Sequence, residues 1–271
     1  MEGAKNLKKS FLLLPLAALI CLPLVGCSAN YGEESSDTLY QVSTLSALMQ
    51  GVYDGEVPFG ELERHGNLGI GTFDALEGEM ILVDGQAYQV LSSGQVEPVA
   101  VDATTPFAAV TDFEADEQIV LTDIADYAQL QQELNKLLPS QNIFYAFKIE
   151  GDFSNVKARS VAKQSKPYPP LVAVTADQQT FEFADVRGTL VGFWCPAYAE
   201  GINLPGYHLH FLSKDLSQGG HLLECSIKQA TVYVDYTTEF DMLLPQNEAF
   251  LDVDLEGTSQ SDVQKAEQNT K

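Results

Sequence analysis

Positive charge is what this 271-residue chain has least of: 15 Lys and Arg stand against 38 Asp and Glu, for a formal net charge of −23. So acidic a surface repels the phosphates of nucleic acid and anionic lipid headgroups, which excludes nucleic-acid binding and names no other partner. Cysteine is scarce as well. Cys21 and Cys27 lie near the N-terminus, which leaves Cys195 and Cys225 for a folded domain. No CxxC pair exists, which argues against a thiolate zinc site. Cys195 and Cys225 read as buried free thiols, with a disulfide as the alternative in an exported setting. Gly69-Ile-Gly-Thr-Phe-Asp74 lacks the third glycine of a dinucleotide loop, which argues against nucleotide binding. The apolar stretch 11–25 is too short, and too interrupted by Pro15 and Pro23, for an ordinary membrane span.

That stretch reads instead as export machinery. Lys5, Lys8 and Lys9 precede it, and Leu24-Val-Gly-Cys27 ends it in the manner of a bacterial lipobox. The reading is a signal peptide over 1–26, a lipid carried on Cys27, and a small, polar, acidic tether over 27–38. The protein is then exported to the cell envelope and touches the membrane only through its anchor.

The remainder has ample apolar content for a core, 45% over the whole chain. Apolar residues at helical spacing predict helices over 43–53, with Ser43 or Thr44 as cap, and over 123–138, stopped by Pro139. A short helix is read over 171–178. Strands are predicted over 68–73, 80–83, 87–90, 119–121, 143–149, 186–194, 207–212 and 221–236, with Asp84-Gly85 as a hairpin turn. The Pro-rich segment 166–170 marks a boundary. A short echo of Gly71-Thr-Phe73 in Gly188-Thr-Leu190 suggests internal duplication. The fold class is therefore α+β, with related mixed-sheet-plus-helix units over 39–165 and 166–271.

Histidine is the residue that carries chemistry. The chain has four, and three lie in Gly206-Tyr-His-Leu-His-Phe-Leu212 and Gly219-Gly-His221. On a strand, His208 and His210 project from one face, and a polar, Gly-containing turn brings His221 back beside them. Three neutral imidazoles without a thiolate suit zinc, and also copper, iron, nickel or manganese; three protein ligands leave room for substrate. The fourth, His65, reads as a loop residue, and the acids of 114–117 as a solvated loop.

The run Pro196 to Asp215 with Gly219-Gly-His221, the segment Gly71-Thr-Phe-Asp-Ala-Leu-Glu-Gly-Glu-Met80 and the shorter Pro106-Phe-Ala108 resemble the motifs of acetolactate decarboxylases. The similarity runs in order from about Tyr40 to the C-terminus and leaves the leader outside. It implies two related α+β units, commonly a homodimer, with Zn2+ on His208, His210 and His221. By motif, Glu79 corresponds to an active-site carboxylate, Arg159 to the active-site arginine and Glu267 to a C-terminal carboxylate near the metal, and Thr72 lines the site. The implied reaction is decarboxylation of 2-acetolactate to acetoin and CO2 through a metal-stabilised enediolate. Read from the residues alone, a non-enzymatic metal-capturing lipoprotein and a hydratase of the carbonic anhydrase type remain alternatives.

Overall fold

The computed structural model describes residues 37–268, which fall in one compact unit. The first half runs β1 (Thr38–Val42), α1 (Leu45–Met49), β2 (Val57–Pro58), α2 (Phe59–Leu62), β3 (Leu68–Thr72), β4 (Glu79–Val83), β5 (Gln86–Val90), β6 (Val96–Pro98), β7 (Thr104–Thr105) and β8 (Ala108–Thr111). There follow β9 (Glu117–Ile124), α3 (Tyr127–Asn135), β10 (Phe144–Ser160), α4 (Leu171–Ala176), β11 (Gln179–Cys195), β12 (Gly206–Ser213) and β13 (Gly219–Thr237). β14 (Glu239–Leu243), α5 (Glu248–Asp252) and α6 (Gln260–Gln268) end the described chain.

Local chemistry explains several boundaries. Thr44 Oγ1 accepts the Ala47 amide at 3.2 Å and starts α1, which then ends sooner than the predicted helix, with Gly51 at φ +88° close behind. Asp126 caps α3 by accepting the Gln129 amide at 2.8 Å. Ile124, expected on that helix, instead closes β9 opposite Ile227. Asp84 and Gly85, at φ +50° and +74°, form the tight turn of the β4–β5 hairpin. β10 and β11 run well beyond the predicted strands, to 17 residues each, while β13 (Gly219–Thr237) matches its predicted span closely.

One sheet has the order β14-β1-β8-β3-β4-β5-β6, antiparallel except for the parallel β14–β1 pair. A second has the order β10-β11-β12-β13-β9, and β10 also pairs with β13, so four strands close on themselves; β2 and β7 form a small separate pair. The division expected at 165/166 does not separate these sheets. β9 and β10 precede it yet belong to the closed sheet, and β14 follows it yet returns to pair with β1, because hydrogen bonding between distant strands outweighs the Pro-rich break between β10 and β11. Ile81 of β4, Leu212 of β12 and Val191 of β11 share one buried cluster between the sheets. β4 thereby faces β12 and β13, and the functional residues gather there.

Candidate metal centre

Strand register builds the histidine cluster. His208 and His210 leave one face of β12, and His210 is directly paired with His221 of β13. Gly220 permits the close approach, since a Cβ there would collide with the Arg159 carbonyl. The three buried rings lie with centroids 4.9 to 5.3 Å apart.

Main-chain carbonyls fix which nitrogen each ring offers. His210 Nδ1 donates to the Met80 carbonyl at 2.8 Å, which leaves Nε2 as the lone-pair atom. That Nε2 is buried with no hydrogen-bond partner among the described residues. His221 Nε2 donates to the Glu267 carbonyl at 2.8 Å, which turns Nδ1 inward, 3.1 Å from His208 Nε2. One ring nitrogen from each histidine lies within 4.8 Å of the others. Burial first, and the Arg159 charge with it, push His208 down to about 3 and hold His210 and His221 well below the usual imidazole range. Three neutral, oriented imidazoles, one with an orphaned acceptor, fit a transition metal with an open position.

A buried ion-pair triad adjoins them. Arg159 of β10, paired in register with His221, donates from Nη1 to Glu79 Oε1 at 2.9 Å and from Nη2 to Glu267 Oε2 at 3.0 Å. Its Nε is buried and unpartnered among the described residues. Glu79 Oε2 is 3.6 Å from His210 Nε2; Glu267 Oε2 is 3.8 Å from His208 Nε2 and 3.7 Å from His221 Nδ1. Burial raises Glu79 to about 7 against the opposing pull of Arg159, with the Glu267 charge adding to the rise; Glu267 is raised by burial and lowered by Arg159. Whenever both carboxyls are ionised, one guanidinium leaves a negative charge uncompensated in a dry site, which a divalent cation on the adjacent imidazoles would offset.

The model of the family described as "Alpha-acetolactate decarboxylase" matches residues 39–257. The chain belongs to the alpha-acetolactate decarboxylase family. This family of carboxy-lyases includes a Methanosarcina mazei relative, 49% identical over 88% of this chain and 83% of that protein. A Methylococcus capsulatus relative is 46% identical over 87% of this chain and 90% of its own length. The crystal structure of the alpha-acetolactate decarboxylase of Bacillus subtilis strain 168 superposes with a TM-score of 0.83 at 38% identity, covering 85% of this chain and 99% of that one.

In this member of the family, Thr72, Glu79, Arg159, His208, His210, His221 and Glu267 all line one cavity of about 30 Å³. Thr72 is paired in register with Glu79 and donates to the Gly78 carbonyl at 2.7 Å. Cys27 lies outside the described residues. The remaining walls, Leu48, Gly71, Leu76, Phe107, Val161 and Leu171, were not singled out as site residues by sequence. Phe107 sits in the Pro106-Phe-Ala108 motif, a signal that could have found it. The carbonyls of Met80 and Glu267 carry no sequence signal at all. His65 stacks on Tyr40 with centroids 3.7 Å apart. Cys195 and Cys225 are free, buried thiols, both pushed up by burial, so the disulfide alternative does not form.

Proposed function

We propose that the chain decarboxylates 2-acetolactate to acetoin and CO2 with zinc on His208, His210 and His221. The observation that carries this reading is a pair of buried, unpartnered atoms of complementary character: His210 Nε2, an acceptor suited to a cation, and Arg159 Nε, a donor suited to an anion. When bound, the metal would supply Lewis acidity, stabilising the charge that builds on the substrate ketone oxygen as an enediolate forms. The protein supplies the rest. Arg159 orients the carboxylate that is to leave, holding its bond to carbon in line with the carbonyl π system. Glu79, raised toward neutrality by its burial, holds a proton beside the site and is the candidate donor to the carbon that loses CO2. Apolar walls at Leu76, Phe107 and Val161 exclude water that would compete for that carbon. A protein that only captured metal would need neither Arg159 nor Glu79 at its ligands.

Acetoin formation from 2-acetolactate, followed with and without a chelator, tests the reading. The expected result is formation faster than the spontaneous background, with the excess lost on chelation. Acetoin at the background rate from metal-loaded protein would contradict it. The same reading includes export, lipid attachment at Cys27, function as a homodimer and an internal duplication behind the Gly71-Thr and Gly188-Thr echo. Fatty-acid labelling that persists in Cys27→Ser would remove the anchor, and a monomeric mass in solution would remove the dimer.

A further inference from the structure

Tyr53 carries a hydroxyl that the site as described does not use. The residue follows α1, and its carbonyl accepts the Ala75 amide at 2.8 Å. Its ring is fully buried in a cluster with Leu48, Leu76, Phe107 and Val161, which also wall the metal cavity, and with Ala266, the neighbour of Glu267. The hydroxyl is buried and meets no hydrogen-bond partner among the described residues. Such an orphan is uncommon and calls for an explanation. Burial, and then the charge of Glu267, raise the phenol well above its ordinary range, so it keeps its proton and can only be waiting to donate or accept as a neutral hydroxyl.

The site also has a problem of occupancy. Arg159 uses one N–H of each terminal nitrogen on Glu79 and Glu267. The cavity of about 30 Å³ has room for a water molecule or two and not for a branched hydroxy-keto acid. A substrate carboxylate can reach the guanidinium only if a side chain yields its space, and the two glutamates are the groups that already lie on it. Glu79 is held in β4 between β3 and β5. Glu267 stands on α6, where among the described side chains only those of Ala266 and Glu267 are buried, so it is the side chain freer to swing.

We propose that Tyr53 is a positioning residue whose hydroxyl receives the Glu267 carboxylate when the substrate carboxylate displaces it from Arg159. This rests on the decarboxylase reading above. The exchange keeps every buried charge hydrogen-bonded while the cavity opens, and it gives the orphan hydroxyl a partner only in the substrate complex. The phenol then stabilises bound substrate through Glu267 without touching the reacting carbon.

Tyr53→Phe in the metal-loaded full chain removes the hydroxyl alone. The expected result is a KM for 2-acetolactate raised about ten-fold or more, a kcat changed less than about three-fold, and a thermal midpoint unchanged or higher. A hydroxyl with a merely structural role would lower the midpoint and leave KM in place. A KM within about two-fold of the parent would overturn the proposal. A second measurement does not depend on turnover. In protein carrying 13Cζ-tyrosine, the resonance absent from Tyr53→Phe should shift on saturation with 2-hydroxy-2-methylbutanoate, which has the carboxylate and hydroxyl but no ketone, and should stay unmoved in Glu267→Gln. An unmoved resonance in the parent overturns the proposal. If no acetoin forms with either protein, the decarboxylase reading fails by itself, and the resonance still decides Tyr53.

Discussion

Two unlike regions meet at the metal centre. On one side stand β4, β10, β12 and β13, where pairing with neighbouring strands fixes each site residue and a shift of one position would turn its side chain to the opposite face. They supply the three imidazoles, Arg159 and Glu79. On the other side stands α6, a nine-residue helix that contributes Glu267 by carboxylate and carbonyl. The contrast separates two jobs. Ligand geometry is entrusted to strand register, which tolerates little movement, while the group that must yield to substrate is placed on a short helix near the end of the chain. The carbonyl of Glu267 also sets the His221 tautomer, so the two regions are coupled through one hydrogen bond.

The comparison breaks most visibly at the strand side. His210→Ala should abolish metal retention and lower acetoin formation more than about a thousand-fold, while circular dichroism stays native because the cores of both sheets are untouched. Global unfolding would instead make the site structural. Arg159→Met is next: it leaves Glu79 and Glu267 buried without their cation and should cost about 3–5 kcal/mol in urea unfolding of the metal-free protein. A loss below about 1 kcal/mol would mean that both carboxyls are already neutral there.

At the helix side the effect should be smaller and of another kind. Glu267→Gln keeps an oxygen for Arg159 and the carbonyl for His221, so metal content should stay at the parent level while turnover falls about 10–100-fold. Loss of metal in this variant would show that α6 holds the ion rather than completing the site. The smallest effect sharpens the contrast between paired and unpaired buried acids. Asp235 of β13 is buried, no Lys or Arg pairs with it among the described residues, and it accepts a long bond from the Glu114 amide, at 3.4 Å. Burial chiefly, then Asp116, Asp37 and Glu114, raise it to about 7 from an ordinary 3.8. The folded protein therefore binds this proton more tightly than the unfolded chain between those values, and the stability so gained is lost as pH rises toward 7. Asp235→Asn should raise the thermal midpoint by about 2–4 °C at pH 8 and leave it unchanged near pH 4. A gain of equal size at both pH values would contradict the assignment.

Much of the strand side was legible in sequence because its periodicity is strict. His208 and His210 alternate with apolar residues, and Gly219-Gly220 announces the reversal that returns His221. The Asp84-Gly85 turn was equally plain. Glu79 and Arg159 needed motif resemblance, since a charged residue at a strand end is ordinarily a surface residue. Glu267 had the weakest signal: it lies in a polar stretch, and only its folded position beside Arg159 explains its burial. The extension of β11 escaped notice because its outer half alternates weakly between exposed and half-buried residues. The return of β14 to β1 bridges about two hundred residues of sequence, and no local pattern encodes a pairing of that range. Backbone acceptors at Met80 and Glu267, which set the imidazole tautomers, belong to every sequence equally.

The most direct measurement is anomalous diffraction at the zinc absorption edge from crystals of the full chain grown with zinc. A single peak is predicted about 2.0–2.1 Å from His208 Nε2, His210 Nε2 and His221 Nδ1. A triad without a peak, or an ion held elsewhere with these rings hydrogen-bonded to one another, would contradict the account.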